Sequence, residues 1–240
     1  MRITKSSEIL WNHEKMRLKD LFYKYLRTLR GNLIIIIFLV PVLCAGSYAE
    51  CSELYEVRWV DDGDTIVLMD GRRVRYIGIN SPEVESKYSK AEPFGNEARE
   101  LNLELVYLKK VRLEFDIEKY DQYGRLLAYI FLPDGTFINN VIITAGYAYC
   151  LPKKPNMKYE ELFLKSQQNA MLSNKGIWQN LNDDSGEYIG NSISKRFHSK
   201  SCPFAGKIDK KSIRIYKGKR DAYRDGYAPC KKCLGNSRGD

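Results

Sequence analysis

The sequence predicts a β-rich α+β fold: a five-stranded barrel of OB type with three helices, followed by a small cysteine-bearing module. Three observations predict it. Five short alternating or apolar runs lie between residues 55 and 132, separated by turns rich in Gly and Asp. Three segments between 95 and 178 carry apolar residues at helical spacing. Beyond a polar, turn-rich stretch at 179–187, three cysteines and a histidine gather in a basic tail. A partly open Greek-key barrel accommodates this count of elements. A β-sandwich fits worse, because helices interrupt the strands.

Taken in order, residues 33–46, LIIIIFLVPVLCAG, form an uninterrupted apolar run after the basic Lys24, Arg27 and Arg30. Fourteen residues are short for a membrane span, and Pro41 breaks the run. Ser47 and Ala49 supply small residues at the −3 and −1 positions of a signal-peptidase site. Residues 1–49 therefore read as a signal peptide, with Met16 an alternative start, or as an uncleaved signal anchor; the expected location is secreted, periplasmic or at the cell surface. Neither Cys44 nor Cys51 follows a good lipobox.

The first strand is YEVRWV (55–60), ended by the Asp61-Asp62-Gly63-Asp64 turn. TIVLM (65–69) and RRVRYIGI (72–79) follow, joined at Asp70-Gly71, so the first three strands form a meander. A helix is expected over 95–108, with Ala98, Leu101, Leu105 and Leu108 on one face. KVRLEFD (110–116) and GRLLAYIFL (124–132) complete the strands. Helices over 137–147 and 158–178 are ended by Gly146 and Gly176. The expected domains are the barrel at 52–179, a linker at 180–187 and a module at 188–236.

The formal charge of +9 is unevenly spread. Residues 1–50 hold 8 Lys/Arg against 4 Asp/Glu, residues 51–185 hold 17 against 21, and residues 186–240 hold 14 against 5. A basic tail suits nucleic acid or an anionic membrane surface, and equally a merely soluble surface. In an exported chain Cys51 and Cys150 could form a disulfide, a pairing that rests on compartment and parity alone.

Three segments carry chemistry: Asp62-Gly63-Asp64-Thr65; Arg75 with Asn80-Ser81-Pro82-Glu83; and Asp121-Gln122-Tyr123-Gly124-Arg125 running on to Tyr129. Arg75 interrupts an apolar alternation with Ile77 and Ile79, and Glu83 stands just past a proline turn. Alone, that pair reads as a surface ion pair worth under about 1 kcal/mol. With Asp64 and Arg125 in register it reads as machinery for a phosphodiester: guanidinium forks bind phosphoryl oxygens in pairs, a hard cation bridges carboxylate and phosphate, and a carboxylate activates water.

In this order the chain resembles the staphylococcal nuclease (thermonuclease) family over about residues 54–179, through DGDT, an arginine before SPE, FGNEA, DxYGRxLAY and a closing GIW. The resemblance implies hydrolysis of DNA and RNA by water, leaving 3′-phosphate ends. It implies Arg75 and Arg125 as catalytic arginines and Glu83 as general base. It implies Asp64, the position of Asn80 and the carbonyl of Ser81 as calcium ligands, and Tyr123 as a nucleotide contact. The chain departs from the family where Asn80 replaces an aspartate, which removes one charge and weakens calcium binding or lets another hard cation serve. Gln122 replaces a frequent lysine. Pro152 falls where a stacking aromatic is expected, a role Tyr149 or Tyr147 takes after a shift. The runner-up is a non-catalytic nucleic-acid-binding OB protein; a third reading, a membrane-anchored surface protein, needs the motifs to be coincidental.

In the tail, His198-x3-Cys202 is followed 27 residues on by Cys230-x2-Cys233. The spacing is that of a closed tetrahedral zinc site, and a short segment with little core depends on such a metal. Oxidation to a disulfide is the competing reading. Residues 188–233 also resemble the metal-binding domain of the Ada repair protein. His198 stands where that family's methyl-accepting cysteine belongs, so methyl transfer is not implied. What remains is zinc and a positive surface, with Lys210, Lys211, Arg214, Lys217, Lys219 and Arg220 available to phosphates. The expected partners are DNA and RNA, a membrane only through an uncleaved anchor, and no second subunit.

Overall fold

A computed structural model describes residues 53–85, 90–179, 181 and 186–234. The expected signal or anchor, Cys44 and Cys51 lie outside the described residues, and so does one partner of the expected Cys51–Cys150 pair. No helix among the described residues is long and apolar enough to cross a membrane.

The five predicted strands close into a barrel. They are β1 (Leu54–Asp62), β2 (Thr65–Leu68), β3 (Arg73–Tyr76), β5 (Lys110–Glu114) and β6 (Leu126–Phe131), with β4 (Ile79–Asn80) a two-residue strand outside the ring. Their order is β1-β2-β3-β6-β5, and β1 returns to pair with β5. Closure depends on β1 bending. Its first residues pair with β5 and its last with β2, with irregularities between Val57 and Trp59 and between Val60 and Asp62. Such bulges curve a strand enough to serve both neighbours. The β3–β6 pairing is parallel, with Arg75 opposite Leu127. The interior is filled by Val57, Ile66, Leu68, Val74, Ile130 and their neighbours, all buried.

The third strand differs from expectation. It ends at Tyr76 instead of running to Ile79, because Gly78 adopts φ 79°. A side chain rarely tolerates that conformation, and a Cβ there would also sit 2.7 Å from the Phe163 ring. The chain turns, and Ile79–Asn80 restarts as β4 against β7 (Tyr149–Cys150). Arg75 therefore does not share a continuous face with Ile77 and Ile79.

Helix α1 (Gly95–Val106) packs on β1, α2 (Ile138–Thr144) follows β6, and α3 (Glu160–Leu172) packs against α2. Helix α3 stops at Leu172 instead of reaching Gly176. The Ser173 amide caps it by donating to the Asn169 carbonyl (3.1 Å), and Asn174 turns left-handed at φ 47°. Two buried amides fasten helices to the barrel. Asn102 of α1 accepts the Tyr76 hydroxyl (2.9 Å) and donates to the Asp62 carbonyl (3.0 Å). Asn139 of α2 accepts the Ile130 amide and donates to the Ile77 carbonyl, both at 2.9 Å.

The tail builds a four-stranded sheet that sequence alone did not resolve. It contains β8 (Tyr188–Asn191), β9 (Arg196–Ser199), β10 (Ile213–Tyr216) and β11 (Ala228–Pro229), in the order β10-β8-β9-β11, with α4 (Lys219–Arg224) beside it. This sheet belongs to the same compact unit as the barrel. One core joins them: Tyr223 of α4 stacks on Tyr149 (5.4 Å between ring centres) and meets Trp178 and Phe197 edge-on, both at 5.0 Å. Gln167 of α3, fully buried, spans the joint. It accepts the Cys150 amide (2.6 Å) and donates to the Tyr223 carbonyl (2.5 Å).

Candidate active site

The turn between β1 and β2 places Asp64 under the barrel mouth, almost wholly buried. Its Oδ2 accepts the Ser81 amide (2.6 Å), which ties the first motif to the second. Its Oδ1 accepts the Thr65 hydroxyl (3.1 Å) and pairs with Arg75 Nε (2.9 Å). Arg75 is further held by oxygens that the break at Gly78 sets free. It donates to the carbonyls of Tyr76 and Ile79, the latter at 2.7 Å, and to Asn80 Oδ1 at 3.4 Å. Beside them Asp62 accepts the Asp64 amide (2.8 Å). Burial and the neighbouring Asp64 carboxylate push Asp62 up to about 8.

Arg125 arrives from the start of β6. The Asp121 turn orients it: Asp121 Oδ1 accepts the Tyr123 and Arg125 amides (2.9 and 3.0 Å), and Oδ2 accepts Arg125 Nε (2.8 Å). The Asp121 carboxyl is partly buried, which alone would raise it, yet the Arg125 and Tyr123 donors hold it below the usual carboxylate range. Among the described residues no hydrogen bond engages the terminal nitrogens of Arg125. That fork lies beside Tyr123, whose exposed ring is 5.6 Å from the guanidinium carbon. Arg75, Tyr123 and Arg125 line one cavity of about 180 Å³, with Lys153 and Asn156 on its rim.

Glu83 lies apart from that cavity. Its backbone is fixed by Glu92, whose carboxylate accepts the Glu83 amide (3.0 Å) and whose amide donates to the Glu83 carbonyl (2.8 Å). Gly95 opens the FGNEA helix at this point because any Cβ would stand 2.2 Å from the Glu83 carbonyl oxygen. The Glu83 side chain forms an ion pair with Lys231, 148 residues away and between two of the tail cysteines. Tyr149, expected as a stacking aromatic, lies outside the arginine cavity: it is packed on Tyr223 and Trp178 and lines a second cavity with Asn80, Pro82 and Lys231. Burial pushes its hydroxyl up to about 12. Tyr147 packs near Phe94 (6.4 Å).

The tail cluster is compact. His198, Cys202, Cys230 and Cys233 bring one ligand atom each to within 4.8 Å of one another. The register explains it. Parallel pairing sets Pro229 opposite Phe197, so one residue further Cys230 lies beside His198, and the Cys230 amide donates to the Phe197 carbonyl (2.9 Å). A tetrahedral ion with bonds of about 2.0–2.3 Å needs donors roughly 3.5 Å apart, and Cys202 Sγ is 3.5 Å from His198 Nδ1. Burial lowers the His198 pKa, which favours the neutral imidazole a metal takes.

Barrel, charged mouth and turn motifs define a thermonuclease-like endonuclease. The chain belongs to the staphylococcal nuclease homologue family, whose model matches residues 73–180. It is 36% identical to a thermonuclease of Staphylococcus hyicus over 143 residues, 58% of this chain and 84% of that one. It is 38% identical to a thermonuclease of Staphylococcus intermedius over 53% of this chain and 77% of that one. With the endonuclease YncB of Bacillus subtilis the identity is 38%, over 49% of this chain and 57% of that one.

Both arginines, the carboxylates and the Thr65 motif stand out in the sequence, but the supporting roles of Asn102, Asp121 and Lys231 do not. Buried amides look like surface residues in a helical pattern. Asp121 was visible in the motif, and an Asx turn before Gly124 is a signal for its backbone role.

Proposed function

We propose that the protein is an exported nuclease that hydrolyses phosphodiester bonds of DNA and RNA, with Arg75 and Arg125 on the phosphate and Glu83 as the base. The observation that carries this reading is that Arg75 and Arg125 line one cavity beside an exposed tyrosine. Arg125 offers its terminal nitrogens as a fork to two phosphoryl oxygens, where charge grows as water adds. Tyr123 gives a nucleotide face a ring to rest on. Glu83 takes the proton of the attacking water, and the bond from phosphorus to the 5′ oxygen breaks, leaving a 3′-phosphate.

The oxygens around Arg75 suit a hard cation, for the Asp64 carboxylate, the Asn80 amide oxygen and backbone carbonyls converge there. Asp64, Asn80 and the Ser81 carbonyl would hold calcium, which when bound supplies positive charge to the phosphate. Asp64 Oδ1 and Asn80 Oδ1 now hold Arg75, so that guanidinium and a cation compete for the same oxygens. The tail cluster would hold zinc as a structural ion; its four donors, the buried imidazole and the Ada-like spacing support that reading. Export is supported by the basic stretch, apolar run and small residues of the first 49 positions.

The test is turnover of single- and double-stranded DNA and RNA by the full chain with calcium, with other divalent ions, and with chelator. Calcium-dependent cleavage abolished by Glu83→Gln and Arg125→Ala is expected. Tight binding without cleavage would replace this reading with a non-catalytic nucleic-acid-binding module.

A further inference from the structure

We propose that the cavity at the junction of the barrel and the tail sheet is a second nucleotide subsite, with Lys231 as its phosphate contact. The inference rests on the hydrolytic reading above. The cavity measures about 390 Å³ and is lined by Asn80 and Pro82 of the candidate catalytic loop, by Tyr149, and by Lys219 and Lys231 of the tail. Asn80 of this cavity accepts a hydrogen bond (3.4 Å) from Arg75, which lines the arginine cavity. With the scissile phosphate on Arg75 and Arg125, the flanking nucleotide is placed across the Arg75–Asn80 contact, in the junction.

Lys231 is presented rather than merely present. It sits between Cys230 and Cys233, in a turn closed by the Cys233 and Leu234 amides on the Cys230 carbonyl (3.2 and 2.8 Å). The turn is tied to β9 by the Cys230 amide on the Phe197 carbonyl (2.9 Å), and the tail is joined to the barrel through Gln167 and the Tyr149–Tyr223 stack. Its ion pair with Glu83 joins side chains 42% and 36% exposed, too open to contribute much to stability. An ammonium group held there instead occupies Glu83 until a phosphate competes for it. Arrival of the flanking phosphate moves Lys231 off the carboxylate and leaves Glu83 for water. Cys230 and Cys233, which would hold a metal, flank Lys231, so their ligation would fix the position of this contact.

The experiment measures binding of a fluorescent, non-cleavable single-stranded oligonucleotide to the full chain, in calcium-free buffer without chelator so that the tail cluster keeps its metal, across a salt series. Lys231→Ala is expected to weaken binding about tenfold and to reduce the slope of log affinity on log salt by about 0.7, the share of one phosphate contact. Lys231→Arg should restore most of both. Cys233→Ala should reproduce the loss, with its metal content measured alongside. Unchanged affinity and slope in Lys231→Ala would overturn the subsite, as would a loss that arginine does not restore. Absence of cleavage by wild type would instead overturn the hydrolytic reading, and the binding series would still decide the role of Lys231.

Discussion

Replacing Gln167 by methionine isolates the joint between barrel and tail. Methionine nearly keeps the volume, so no cavity is added and the loss reports the amide's hydrogen bonds. The two bonds are unequal. The Cys150 amide points away from its strand partner and has Gln167 Oε1 as acceptor at 2.6 Å, so its loss costs about 1–3 kcal/mol. The Tyr223 carbonyl still accepts the Gly226 amide at 2.9 Å, so its loss costs only about 0.5–1.5 kcal/mol. Together the substitution should destabilise the protein by roughly 2–4 kcal/mol. The assay is equilibrium urea unfolding followed by tryptophan fluorescence, in which Trp178, 1% exposed and packed at this joint, reports the junction. A loss below about 1 kcal/mol with normal fluorescence would refute the reasoning that a single buried amide couples the two parts.

Asp121→Asn places an amide donor or a weaker acceptor against Arg125 Nε, and activity should fall about tenfold, one lost orienting contact being worth roughly that. Its pH dependence follows from the sign of the shift. The folded Asp121 carboxyl lies below its ordinary value, so its stabilisation is present at neutral pH and fades as pH drops below about 3.9 through the depressed value. Urea unfolding of wild type and variant should therefore converge in acid; a gap unchanged from pH 7 to pH 2 would contradict this. Asn80→Asp restores a charged oxygen and should lower the calcium concentration for half-activation about tenfold, and equal half-activation would remove the charge argument. Stripping the tail with a thiol reagent should release one zinc per chain and expose Cys202, Cys230 and Cys233, whereas Cys150, 1% exposed, stays protected until global unfolding. A metal assay showing no zinc in folded protein would favour the disulfide reading.

Much of the fold was legible because its signals are local. Asp70-Gly71 and Asp134-Gly135 mark turns by backbone chemistry, and the alternation in β1 and the apolar run in β6 mark strands that face a closed interior. Asp64, Arg75 and Arg125 stood out in the sequence because charged residues break those patterns. What escaped depends on long-range geometry. Gly78 stops β3 although IGI reads as strand, because the chain must turn around Phe163. Tyr149 looks like a substrate aromatic, yet its partner Tyr223 lies in a helix that the polar tail does not advertise. Lys231 is one basic residue among many until folding places it on Glu83. The tail strands are too short and too polar to announce a sheet; metal spacing was the readable feature there.

The proposed activity needs two guanidinium groups on one phosphate. A crystal structure of the protein with calcium and a non-cleavable phosphorothioate oligonucleotide measures this directly. Nitrogens of Arg75 and Arg125 within hydrogen-bond distance of the same phosphoryl group, with Glu83 turned toward the phosphorus, is the predicted result. A strand bound with its phosphates away from both arginines would contradict it.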